Sequence, residues 1–398
     1  MDKIFKNFEG NIKEEQKLII PEFVNLTLLD YMKEGLAKQI SESKDLSHIP
    51  KHILESANFD TTFKWPQKLP EGFNPEGLIE KGKNPGLGIH WLHKNGITGK
   101  GVTVAIIDQK ISEKHREFKN NLIINKEYSA GKSEILKEEI SMHGPAVASI
   151  LVGEKCGVAP DAKLYYAGHG GETNSFLSYT KALKDIIEYN KTHEDKIKIV
   201  SVSKGYQKIP GVNEWLEIKE EAKNLGITVI DCFYFEENNI TGGGSKNDKD
   251  KFDDYEFPLF YKESNMRLRT LEDMNKNLSL ANEKQRKKFF DKYKTIQNYL
   301  DNMVDEFNNQ IIIPSDYRTM ASRKGDNEYV YEAKGGWSWA VPYFAGVFAL
   351  ALQVNPDLTN EKFLEIIKRT AGKTKKGLNV INPPRIIEEI KKMVKKEN

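Results

Sequence analysis

The chain has 398 residues, of which 38% are hydrophobic and 30% are charged, as in a soluble globular protein with a charged surface. Lysine and arginine together number 60, against 58 acidic residues. This balance leaves no overall basic field of the kind that binds nucleic acid, so nucleic acid is not an expected partner.

Nothing in the sequence predicts a membrane partner. The amino terminus carries scattered charges and lacks an apolar run of signal-peptide length. The stretch 337–354 is almost uncharged but is interrupted by Pro342 and Gly346, which favours a buried helix over a membrane span. Cys156 and Cys232 lie far apart, in or beside apolar runs, which is typical of reduced structural thiols. We therefore expect a cytoplasmic protein.

From residue 99 onward, short β-branched runs alternate with amphipathic helical stretches. The predicted strands cover 102–107, 163–167, 197–202, 227–232 and 311–313. The predicted helices cover 174–189, 214–225 and the apolar stretch after Ser338. Strands separated by helices of this length indicate βαβ crossovers. The expected fold class is therefore α/β: a doubly wound, mostly parallel sheet with helices on both faces.

Two segments interrupt this alternation. Residues 1–75 are charged and weakly helical, with a proline-containing, extended stretch at 63–73. A second segment starts at 241 with the sequence TGGGSKNDKDK, which predicts flexibility. Apolar residues spaced three and four apart then predict one amphipathic helix: Phe289, Tyr293, Ile296, Leu300, Met303 and Phe307. The predicted organisation is an N-terminal extension (1–75) and a domain (76–398) with an insertion at about 241–310.

Two residues stand where α/β proteins place catalytic groups. Ser338 stands two residues after the Gly335-Gly336 pair and begins an apolar helix. The free N–H groups at the start of such a helix favour negative charge. A serine that only caps a core helix fits this pattern equally well. Asp108 ends the strand 102–107, at the edge where parallel sheets carry their sites. An aspartate that starts a turn is the alternative.

A histidine completes the set. His143 begins a second apolar helix, and none of the other histidines among the 8 has a comparable setting; His169, in a glycine-rich turn, is the nearest alternative. A serine hydroxyl needs a base to take its proton, and the base needs a carboxylate to fix its tautomer. Asp108, His143 and Ser338 each fall at a strand–helix junction, so we predict that they form a catalytic triad.

Four segments carry a resemblance to a known family: GKGVTVAIID at 99–108, HGPAVA at 143–148, GVAPDAKL at 157–164 and GWSWAVP at 336–342. In the same order, they resemble the aspartate segment, the H-G-T-H-V-A segment, the following strand and the G-T-S-M-A-x-P segment of the subtilisin-like serine proteases, or subtilases. The resemblance implies a hydrolase: a serine endopeptidase that cleaves a peptide or protein substrate through an acyl-enzyme intermediate and needs no cofactor. Within the family, the chain is most similar to divergent, intracellular-type members.

The resemblance also implies a substrate-binding segment. Ser203, Lys204 and Gly205 are similar to the family's S-x-G segment, which pairs with the substrate backbone by strand addition. Lys204 is unusual there, and two interpretations stay open: a preference for acidic or polar substrate side chains near the cleavage site, or a lysine that points to solvent.

The chain departs from the family at the oxyanion hole. The family supplies a side-chain amide from a Gly-Asn pair after the strand that corresponds to 227–232, whereas here the first asparagines after that strand are Asn238 and Asn239. With a longer loop, either of them could replace the missing donor. Losing that donor costs roughly 100- to 1000-fold in turnover. The alternative function is therefore a pseudoprotease, a peptide-binding regulatory protein that keeps the fold with weak or no turnover.

Three further departures concern metals, aromatic residues and regulation. Only residues 154–156 occupy the position of the family's calcium loop, too few for the oxygen ligands of calcium, so no metal is expected.

Trp337 and Trp339 flank the serine where smaller or more flexible residues are usual, and we expect them to pack. The extension 1–75 stands where the family carries a propeptide; its stretch 63–73 is interpreted either as blocking the cleft or as a linker. The sequence leaves the oligomeric state open.

Overall fold

A computed structural model describes residues 20, 25–26, 34–129, 141–169, 175–205, 210–257, scattered positions between 283 and 298, and 309–397. The amphipathic helix predicted for the insertion has its six apolar positions between 289 and 307, and all of them lie outside the described residues.

The described helices are α1 Glu34–Glu42, α2 Lys51–Glu55, α3 Pro75–Lys83, α4 Ile89–Lys94, α5 His143–Val152, α6 Leu177–Thr192, α7 Val212–Asn224, α8 Cys232–Glu237, α9 Trp337–Val354, α10 Asn360–Thr370 and α11 Pro383–Glu397. The described strands are β1 Phe59–Asp60, β2 Thr103–Gln109, β3 Leu122–Tyr128, β4 Lys163–His169, β5 Ile197–Val202, β6 Thr228–Asp231, β7 Ile240–Gly243, β8 Ile311–Pro314, β9 Arg318–Ala321, β10 Tyr329–Glu332, β11 Gly372–Lys373 and β12 Asn379–Val380.

The central sheet consists of parallel strands in the spatial order β3-β4-β2-β5-β6. Helices α5, α6 and α7 form the crossovers between its strands, which confirms the doubly wound α/β fold. Strand β3 was not predicted from the sequence. It lies at the sheet edge, and most of its side chains are partly or fully exposed, so no buried apolar run marks it.

The alternation of side chains along β2 determines where the site forms. Val104 and Ile106 belong to the core that β2 shares with α5 and α9. Ala105 and Ile107 belong to the opposite core, which is shared with α6 and α7. Because successive side chains point to opposite faces of a sheet, Asp108 faces the side of α5 and α9.

Helix α9 is long and apolar enough to cross a membrane by composition, yet 78% of it is buried inside the fold. It runs through the core that contains α5 and the central sheet. The expectation of a buried helix for 337–354 is confirmed.

The start of the segment predicted to be flexible is instead part of the fold. Strand β7 pairs in parallel with β8. A side chain on Gly242 would come within 2.6 Å of the Ser315 hydroxyl, and one on Gly243 within 2.5 Å of Ile312. These glycines therefore permit close packing rather than flexibility. Further along, the buried Lys249 ammonium donates to the Gly82 and Tyr317 carbonyl oxygens.

The N-terminal extension joins the domain by strand pairing. Strand β1 pairs antiparallel with β10, which in turn pairs with β9. Phe59 of β1 packs against Tyr331 of β10 and against Trp65, at ring distances of 5.3 Å and 5.1 Å. The stretch 63–73 thus packs in a core of its own with β10. Its predicted role in blocking the cleft stays a prediction.

We predict that Phe59→Ala lowers the free energy of unfolding by about 3–5 kcal/mol, because it leaves a cavity between the extension and β10. Phe59 is 1% exposed. Urea unfolding followed by tryptophan fluorescence measures the change. The exposed Lys64 provides the control, since Lys64→Ala removes a side chain from the same segment without opening a cavity. Equal stabilities for the two variants would contradict a structural role of the extension.

Candidate active site

Asp108 and His143 are in direct contact. The Asp108 carboxylate accepts a hydrogen bond of 2.7 Å from His143 Nδ1 and another of 2.7 Å from the Gln109 backbone N–H. Because a carboxylate only accepts in such a bond, Nδ1 carries the proton and Nε2 is available as an acceptor. This is the tautomer that a general base for a hydroxyl requires.

The start of α5 is fitted closely to the end of β2. His143 is the first residue of α5, and its backbone N–H donates to the Ser141 hydroxyl at 3.0 Å. A Cβ atom on Gly144 would lie 2.2 Å from the Gln109 carbonyl oxygen. Only glycine therefore allows the helix to approach the strand closely enough for the histidine to reach Asp108.

Ser338 is the second residue of α9, in the first turn, where the Trp339 and Ala340 N–H groups donate to the Gly336 carbonyl oxygen at 3.0 Å and 3.4 Å. The next residue, Trp339, lies with its ring centroid 5.1 Å from that of His143. In the described part of the chain, no hydrogen bond joins the Ser338 hydroxyl to His143. Catalytic hydrogen bonds in unliganded sites are often long and tighten when substrate binds.

A proline links Ser338 to the predicted substrate segment. Pro342 lies inside α9, four residues after Ser338, and has no N–H to donate to the Ser338 carbonyl oxygen. The Ser203 hydroxyl donates to that oxygen instead, at 2.8 Å. The Ser338 carbonyl oxygen, which Pro342 leaves without an N–H donor, therefore binds the predicted substrate segment to the start of α9.

Lys204 lies on the opposite face from Ser203. Its ammonium is 4.8 Å from the centre of the Tyr179 ring and 5.1 Å from that of Phe176, both on the α6 side of the sheet. Burial lowers the pKa of Lys204, and the nearby Asp108 carboxylate partly opposes this shift. Lys204 is thus a half-buried cation on an aromatic surface rather than a lysine directed fully to solvent. Gly205, the last residue of the segment, is exposed.

The asparagines considered for the oxyanion hole are engaged elsewhere. Asn238 ends α8, and its side-chain amide donates to the Tyr234 carbonyl oxygen at 2.9 Å. Asn239 has a positive φ of 56° and turns the chain into β7. Neither residue forms a hydrogen bond with Ser338 within the described ranges. The sequence-based suggestion that one of them replaces the missing donor finds no support in this geometry.

The turn at 154–156 is closed by a carboxylate. Glu117 accepts hydrogen bonds from the Lys155 and Cys156 backbone N–H groups at 2.9 Å and 3.1 Å, and its other oxygen accepts from the Tyr329 hydroxyl at 2.5 Å. Both carboxylate oxygens therefore already have partners. Among the described residues, no group of three or more histidine, cysteine or acidic residues is arranged to hold a metal ion. The absence of calcium here stays a prediction.

The remaining residues that the sequence analysis considered, one histidine and two cysteines, lie in the packed interior of the fold or beside it. His169 is buried, and its Nε2 lies 2.6 Å from the Tyr179 hydroxyl. Cys156 and Cys232 are free thiols, as expected for reduced cysteines. Burial raises the pKa of Cys156 well above its usual value and that of Cys232 to about 12, so neither thiol is reactive at neutral pH.

One residue near the site was missed by the sequence analysis. Glu332, the last residue of β10, is buried and accepts a hydrogen bond of 3.0 Å from the Trp339 indole N–H. Burial raises the pKa of Glu332 to about 7. Burial also works against the charge of His143, but Asp108 and Glu332 outweigh it and raise the pKa of His143. Because β10 was not predicted, no sequence signal directed attention to Glu332.

We predict that Ser203→Ala lowers kcat/KM for a peptide substrate by roughly 10-fold, because the start of α9 loses the bond that positions Ser338. Ser201 provides a matched control: it is a buried serine on β5, two residues before Ser203, whose hydroxyl has no hydrogen-bond partner among the described residues. Ser201→Ala should leave kcat/KM almost unchanged. Steady-state kinetics of both variants measure the difference, and equal effects would argue against a positioning role for Ser203.

A hydrogen-bonded aspartate–histidine pair at the carboxyl edge of a doubly wound parallel sheet is an arrangement that α/β serine proteases also contain. The family profile described as the subtilase family matches residues 99–232. The major intracellular serine protease of Bacillus subtilis is 27% identical over 179 residues, which are 42% of this chain and 50% of that protein. Residues 99–232 are thus similar to the subtilase family, a family of serine proteases.

Other similarities are more limited. The human membrane-bound transcription factor site-1 protease is 36% identical over 100 residues, 25% of this chain and 9% of that protein. The structure of the prenylagaramide maturation protease PagA aligns with 76% of this chain and 98% of its own chain, at 16% identity and a TM-score of 0.47. The A-subunit of the AB5 toxin from E. coli aligns with 78% of this chain and 99% of its own chain, at 14% identity and a TM-score of 0.49. The chain thus spans half or less of the length of these curated relatives.

Proposed function

We propose that this chain is a serine endopeptidase in which Asp108, His143 and Ser338 form the catalytic triad. The single observation that carries the proposal is the 2.7 Å hydrogen bond between Asp108 and His143 Nδ1. It fixes the base in its working tautomer on the side of the sheet that faces α9. The similarity of residues 99–232 to a family of serine proteases supports the same assignment.

In the proposed reaction, His143 Nε2 takes the proton of the Ser338 hydroxyl while the oxygen attacks the substrate carbonyl carbon. The Ser338 backbone N–H, at the start of α9, stabilises the oxyanion. The resulting imidazolium then gives its proton to the leaving amine as the carbon–nitrogen bond breaks, which leaves an acyl-enzyme. A water molecule attacks the ester with His143 again as base, and the proton returns to Ser338 as the acid product leaves.

The proposed substrate is an extended peptide segment of a protein. It would pair by its backbone with Ser203, Lys204 and Gly205 at the end of β5, as an added strand. The 2.8 Å bond from Ser203 to the Ser338 carbonyl oxygen holds this segment beside the nucleophile. We place the reaction in the cytoplasm, in keeping with the two free cysteines and with the intracellular Bacillus relative.

A pseudoprotease is the second candidate, and one observation favours it. In the described residues, no side-chain amide forms a hydrogen bond with Ser338, and Asn238 is bonded to its own helix. Such a protein would bind a peptide beside the sheet and regulate a partner without turnover. A reactivity measurement separates the two candidates.

We predict that a fluorophosphonate probe labels the parent protein but not Ser338→Ala, because only an activated serine attacks phosphorus at a useful rate. Asp108→Asn should label about 100-fold or more slowly, since the histidine tautomer is no longer fixed. Ser201→Ala, which retains all three triad residues and the Ser203 hydroxyl, is the control for general damage. Intact-protein mass spectrometry measures the adduct. A parent that stays unlabelled, while binding peptide, would establish the pseudoprotease instead.

We also predict that Lys204 gives the cleft a preference for acidic substrate side chains, because its ammonium is held on an aromatic surface near Asp108. Profiling a peptide library with the parent and with Lys204→Met should show the preference lost, since methionine keeps the length of the side chain without its charge. Identical cleavage profiles would contradict this assignment.

A further inference from the structure

The side chain that follows the proposed nucleophile connects His143 to a second buried carboxylate. The Trp339 ring lies 5.1 Å from the His143 ring, with 34° between the two planes. On the other side, its indole N–H donates to Glu332 at 3.0 Å. Trp339 and Glu332 are each no more than 6% exposed.

This arrangement matches the charge that develops on His143 during the proposed reaction. The π-face of a tryptophan attracts a cation within about 6 Å of the ring centre, and desolvation strengthens the attraction. A hydrogen bond from the indole N–H to a carboxylate makes the ring more electron-rich. Glu332 also adds its own negative field to that of Asp108.

We propose that Trp339 and Glu332 are positioning residues that stabilise the imidazolium form of His143, so that the histidine is held between two carboxylates. Asp108 binds Nδ1 directly, whereas Glu332 acts through the indole. The inference rests on the proposed function, because an imidazolium forms only if His143 takes a proton.

The charged groups around His143 can be named element by element. Asp108 comes from β2 and Glu332 from β10, and both act on the imidazole. Lys204, after β5, lies over the Phe176 and Tyr179 rings and interacts electrostatically with Asp108. Helices α5 and α9 contain no charged residue besides His143 itself. Arg318 stands opposite Glu332 in the β9–β10 register, but no ion pair joins the two in the described structure.

Two substitutions test the proposal. Glu332→Gln keeps the shape and removes the charge. Trp339→Phe keeps an aromatic ring but removes the N–H donor, so that Glu332 takes up a proton more readily and its field is lost. Glu328→Gln is the control, because it removes a charge from the same hairpin without acting on His143.

The first measurement is the NMR titration of the His143 imidazole, in a Ser338→Ala background that cannot turn over. Both test variants should move the midpoint to lower pH, because an imidazolium without this support loses its proton more easily. Glu328→Gln should leave it in place. If Glu332→Gln does not fold, Trp339→Phe decides the question alone. Midpoints equal to that of the control would overturn the proposal.

The second measurement is the pH profile of peptide hydrolysis with an intact Ser338. The support raises the pKa of His143, so activity is lost as pH falls through that value. Removing the support should shift this acid limb to lower pH and reduce kcat by roughly 3- to 10-fold with little change in KM. A variant that lowers stability but leaves the profile unchanged would assign Glu332 a structural role only.

The two proposals can fail separately. If the parent protein is not labelled by a fluorophosphonate, the peptidase assignment fails, yet the imidazole titration still reports whether Glu332 acts on His143. If labelling occurs and the titration does not respond to either substitution, only the role of Trp339 and Glu332 is rejected.

Discussion

The hydrogen bond between Asp108 and His143 depends on the alternation of side chains along one central strand. Val104 and Ile106 point into the core that β2 shares with α5 and α9. Asp108 is the next residue of β2 whose side chain points to the same face. A shift of one residue would turn the carboxylate toward α6 and leave the histidine without a partner. The apolar packing of the sheet therefore fixes the chemistry at its edge.

The N-terminal extension and the site are connected through one strand. Strand β10 pairs with β1 of the extension and ends at Glu332, whose carboxylate meets Trp339. The aromatic cluster around Phe59 thus braces the strand that presents this buried acid. The extension therefore packs against the strand that carries Glu332.

The sequence was informative where function imposes a residue type at a fixed place. The segments ending in Asp108, beginning with His143 and containing Ser338 could be identified because glycine, apolar and catalytic residues recur in one order. It was less informative where tertiary packing decides. The glycines at 242–244 look flexible in isolation but permit contacts between strands, and Glu332 gains its role only because β10 buries it. Lys204 likewise acquires its aromatic neighbours only in the folded chain.

The proline in the nucleophile helix has a mechanical consequence. Pro342 has no N–H for the Ser338 carbonyl oxygen, so the Ser203 hydroxyl donates to it instead. This hydrogen bond joins the segment proposed to bind the peptide to the helix turn that carries the proposed attacking hydroxyl. In the proposed peptidase, a peptide that docks beside Ser203 would therefore act on the position of Ser338 through this one hydrogen bond, so that binding of the peptide and placement of the attacking hydroxyl are mechanically coupled.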